Sequence, residues 1–90
     1  MRFNFTMNMP SRSGHAVHQI IGEHEANSLF DLLAAIASTD FLLVEEFYVK
    51  RDSNESSILE SAGFIALNPL FIGKIKETES RAKTQLLPSR

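Results

Sequence analysis

The sequence predicts an α+β domain: a five-stranded, strongly bent antiparallel sheet in the style of a small β-barrel, with one helix, in the order β-β-α-β-β-β. Three observations predict it. Phe3, Phe5, Met7 and Met9 alternate with Arg2, Asn4, Thr6 and Asn8, the period-2 pattern of a half-buried strand. Leu29, Leu32, Leu33 and Ile36 recur at helical spacing. Further apolar runs are joined by tight turns, two of them separated only by Asn68-Pro69, which favours antiparallel strands curling into a barrel or half-barrel.

The elements follow in order. Pro10 ends the first strand, because proline brings no N–H to a ladder, and Ser11-Arg12-Ser13-Gly14 reads as a turn. His15 to Glu23 is a second strand anchored by Val17, Ile20 and Ile21; the adjacent isoleucines call for a bulge or for cover on both faces. The helix spans 28–38: Asn27 or Ser28 can cap it, Asp31 stands in the position of a capping-box acid, and Ala34, Ala35 and Ala37 fill in with high propensity. Phe41 to Lys50 is the longest strand, Arg51 to Ala62 a polar loop, and Gly63 to Leu67 a fourth strand. Leu70 to Lys76 makes the fifth. The predicted core holds Phe3, Phe5, Met7, Leu29, Leu33, Ile36, Leu43, Phe47, Ile65 and Ile72.

Length and composition set the limits. Ninety residues, 43% of them hydrophobic and 22% charged, suffice for one small domain, read as 1–77 with a loosely ordered tail over 78–90. No apolar run approaches the roughly 18 residues of a membrane span, and the alternating N-terminus lacks the continuous apolar stretch of a secretory signal. The absence of cysteine removes disulfides and thiol chemistry and fits a cytoplasmic location. A net charge of −2 argues against coating duplex DNA by charge alone. Residues 1–49 net −4 and residues 50–90 net +2, so a basic surface is confined to the second half. A core this small gains most economically by self-association through an edge strand or the helix stripe.

The run Gly63-Phe64-Ile65-Ala66-Leu67-Asn68-Pro69-Leu70-Phe71-Ile72-Gly73-Lys74-Ile75 resembles the last two strands of Sm and Sm-like proteins, and more loosely of SH3-like barrels. The long strand and polar loop before it are similar in outline, so the resemblance covers 41–77. It implies a small barrel that forms rings and binds single-stranded RNA. The chain differs from the family in placing its helix between strands two and three. It also carries Gly73-Lys74 in the reverse of the family's basic-residue-then-glycine order, so no RNA-contacting residue is carried over. Its small size and lack of an enzymatic motif are also similar to phage-encoded accessory proteins.

Candidate chemistry is sparse. His15 and His18 would face opposite ways on a strand, and His18 and His24 would stand about 20 Å apart, so no metal site is expected. Glu45 and Glu46, as strand neighbours, cannot share a proton or a water. Ser11 to Gly14 precede a strand rather than the helix that a phosphate loop needs. The expectation is therefore a non-enzymatic module with no cofactor. Arg12, Lys50, Arg51, Lys74 and Lys76 are its candidate phosphate contacts, and Tyr48 its candidate base-stacking residue. On this reading it self-associates and binds single-stranded RNA. The alternative is a protein–protein or structural accessory subunit that binds no nucleic acid, its lysines serving to blunt a sheet edge.

Overall fold

The computed structural model describes residues 1–51 and 56–78. Its elements are β1 (Arg2–Ser11), β2 (Gly14–Glu23), α1 (Leu29–Ala37), β3 (Leu42–Arg51), β4 (Ser57–Leu67), a 3-10 turn (Pro69–Phe71) and β5 (Ile72–Glu77). The α+β class and the single five-stranded antiparallel sheet are as expected. The order departs from β-β-α-β-β-β through the 3-10 turn, which occupies residues assigned to the start of the fifth strand. Asn68 causes it: its Oδ1 accepts from the Leu70 N–H at 3.0 Å, and Pro69 supplies a preset φ at the first helical position.

The sheet runs β4-β3-β2-β1-β5 and is not closed into a barrel. It is nevertheless bent. In a flat sheet the observed register would set Leu67 and Ile72 about 30 Å apart, four strand spacings across and eight residues along. The four residues between them, five Cα–Cα steps, span at most about 18 Å. The sheet therefore curls toward its core face. Instead of closing by a β4–β5 ladder, it is filled by side chains of α1, beside β5, and of the 3-10 turn, against β1. The barrel expectation fails because β4 and β5 remain the two edges of an open sheet, whose core is completed by Leu32 of α1 with Phe71 packed against it.

Alternation places Phe3, Phe5 and Met7 of β1, Leu42 and Val44 of β3 and Leu67 of β4 on the inner face, all buried with Leu32 of α1. Ile20, Leu29, Ile36, Ile65, Ile72 and Ile75 pack around them. Three core expectations are corrected. Leu33 lies on the outer side of α1, and Leu43, between the buried Leu42 and Val44, points out of the sheet; they are 46% and 61% exposed. Phe47, also expected inside, is half-buried on the outer face. The adjacent isoleucines need no bulge, because β1 and β2 pair in unbroken register: Ile20 faces inward and Ile21 outward, opposite Phe47.

Two boundaries also move. β1 continues through Pro10 to Ser11. The Thr78 N–H donates to the Arg2 carbonyl, so even-numbered β1 residues address the β5 side; β5 reaches only Met7, and the missing N–H of Pro10 falls beside no partner. β4 begins at Ser57 rather than Gly63, so residues 57–62 of the expected loop form strand; 52–55 lie outside the described residues. The polar run misled because β4 is an edge strand with few buried positions. The expected tail, from 79 onward, also lies outside them.

A bulge at Ala62-Gly63 bends the β3–β4 hairpin. Gly63 sits at φ +95, a conformation that a side chain would strain. Its N–H donates to Ser61 Oγ at 3.1 Å, and that hydroxyl donates to Glu45 Oε2 at 2.6 Å. β2 and β3 pair only over Ile21–Glu23 with Glu45–Phe47, so beyond the bulge the two hairpins run as separate arms.

Candidate functional site

The six candidate residues occupy three separate places. Arg12 is in the turn at the tip of the β1–β2 arm. Tyr48, Lys50 and Arg51 lie on the far end of β3, with Lys50 Nζ 3.3 Å from Glu60 Oε1 on β4. Lys74 and Lys76 pair with Thr6 and Asn4 on β5. In the sheet, β1 and β2 stand between β5 and β3, and alternation sends Lys74 and Lys76 to the outer face but Tyr48 and Lys50 to the inner-face side. One subunit thus brings Tyr48 and Lys50 together on one face of β3, with Arg51 on the other, and Lys74 with Lys76 on β5, but does not join these groups. His15, His18 and His24 are likewise dispersed along 14–24. His24 Nδ1 accepts from the Ala26 N–H at 2.9 Å, a local turn bond that positions the chain before α1.

Unpredicted apolar surface is the more prominent feature. The stripe of α1 that faces away from the sheet consists of Phe30, Leu33, Ala34 and Ala37, with Phe30 83% exposed. Asp31 is the only charged residue in the helix. A helix apolar on all sides is normally buried on all sides. Its N-terminus is well determined: Ser28 Oγ accepts from the Asp31 N–H, Asp31 Oδ2 from the Asn27 N–H, and Glu77 Oε2 from the Leu29 N–H at 2.7 Å.

The outer face of the sheet forms a second apolar surface. Leu43, Phe47 and Val49 of β3 and Phe64 of β4 line one strip, and Phe64 is 69% exposed. At its margin the Arg2 guanidinium lies 4.6 Å above the Phe47 ring centroid while Nε meets Glu23 Oε1 at 3.1 Å. Farther across, Asn4 and Thr6 separate the strip from Lys74 and Lys76. The Asn4 Oδ1 is buried without a hydrogen-bond donor among the described residues.

Both surfaces had a sequence signal that core-finding passed over. Leu29 to Ala37 offers no polar face, and Leu42-Leu43-Val44 puts apolar residues on both sides of one strand, which implies cover on both. Among the described residues no group of three or more His, Asp or Glu side chains is placed to hold a metal ion. No helix among them is long and apolar enough to cross a membrane. No protein-family model, curated protein or solved structure matches the chain.

Proposed function

We propose that this protein is a non-enzymatic interaction subunit that self-associates. One observation carries the reading: α1 packs on the sheet through Leu29, Leu32 and Ile36 yet leaves a second apolar stripe, headed by Phe30, in solvent. Exposing such a stripe opposes folding of a small domain, and covering it contributes roughly 25 cal/mol for each Å² of apolar area removed from water. Single-stranded RNA is supported less well, since the candidate cations divide between two faces and Lys50 is already paired with Glu60.

Light scattering on nucleic-acid-free protein at micromolar concentration tests this, with fluorescence anisotropy on labelled single-stranded RNA and DNA across a salt series. The expected result is a multiple of 10.1 kDa and no salt-sensitive nucleic-acid binding. A monomer that binds RNA with an affinity falling steeply in salt, and loses it in Lys74→Glu/Lys76→Glu, would replace the reading with a nucleic-acid module.

A further inference from the structure

The two uncovered surfaces are unlike in shape and in charge, and that difference selects a packing mode. Residues 25–41, which include α1, contain Glu25, Asp31 and Asp40 and no lysine or arginine. A two-fold contact of helix on helix would set these acids against their own copies. The outer sheet face carries an apolar strip around Leu43, Phe47 and Phe64, in which Glu45 accepts from Ser61 and Glu23 pairs with Arg2 and the N-terminus, and then Lys74 and Lys76, which form no ion pair with a described residue. The row Lys76, Asn4, Ile21, Phe47 crosses the sheet over about 14 Å, and the nine residues of α1 extend about the same length. Helix on sheet is also the layer pairing already used inside the subunit.

Building on the self-association proposed above, we infer that α1 of one copy docks on the outer sheet face of a second, head to tail. Phe30 and Leu33 meet the β3–β4 strip, and the C-terminal end of the helix, followed by Asp40, lies toward Lys74 and Lys76. Each subunit then uses two different surfaces, so the contact repeats until a ring closes or a filament grows.

Complementation between two surface variants tests the geometry. Phe30→Asp and Phe64→Asp both alter exposed side chains, and unchanged circular dichroism and thermal melting establish that each still folds. Light scattering is expected to show wild type as an oligomer, each variant alone at 10.1 kDa, and an equimolar mixture at twice that mass and no more, because one intact helix and one intact sheet face remain. If only Phe30→Asp dissociates, helices pack on helices; if only Phe64→Asp does, sheets pack on sheets. Either result overturns the head-to-tail pairing and leaves self-association standing, whereas monomeric wild type overturns both. In Lys74→Glu/Lys76→Glu, association weakens about tenfold at low salt and less at high salt. An unchanged affinity contradicts the charge pairing.

Discussion

Gly22 shows how closely single residues determine this core. A Cβ at that position would lie 2.9 Å from Val44 Cγ2 and 3.1 Å from Phe5 Cε1, inside contact distance of two buried side chains. Gly22→Val is therefore expected to destabilise by about 1–3 kcal/mol through overpacking, read as a lower urea midpoint at constant slope. Glu77 acts at a distance in sequence: from the end of β5 its carboxylate accepts the Leu29 N–H and opposes the positive end of the helix. Glu77→Ala should lower stability by about 0.5–1 kcal/mol, an effect smaller in high salt because the group is exposed. The sequence provided no spacing rule for this pair, 48 residues apart. By contrast, the Ser28 cap lies three residues from its donor, and the capping-box spacing made it one of two legible candidates beside Asn27.

At the scale of elements, local pattern was a reliable guide where one face is buried and an unreliable one where both or neither are. β1 and α1 were legible because strict alternation and helical spacing set Phe3, Phe5, Met7 and Leu32 on one side. β4 was read short, since an edge strand with a bulge has few apolar positions and Ser57 to Ala62 looks like a loop. Leu33 and Leu43 were drawn inside because pattern alone identifies apolar residues, not which of them the subunit itself buries. Leu32 joins helix to sheet, and Leu32→Ala should cost about 2–5 kcal/mol, with loss of helical ellipticity in the same transition as the sheet. Independent melting of the helix would show that α1 is not part of the cooperative core.

For the whole molecule, curling, incomplete closure and uncovered layers are linked. The short connection from Leu67 to Ile72 forces the bend, α1 and the 3-10 turn fill the gap, and a single nine-residue helix is left apolar on both sides. Strand order and the candidate site could not be read from the chain, because both depend on the diagonal crossing from β4 to β5 rather than on any local motif. The central claim is that the outer surfaces of α1 and β3–β4 are covered when copies meet. Hydroxyl-radical footprinting of dilute and concentrated protein measures this at the residues concerned. The account predicts that Phe30 and Phe64 are oxidised in the dilute sample and protected in the concentrated one, while Phe3 and Phe5 are protected in both. Equal oxidation of Phe30 and Phe64 at the two concentrations would contradict it.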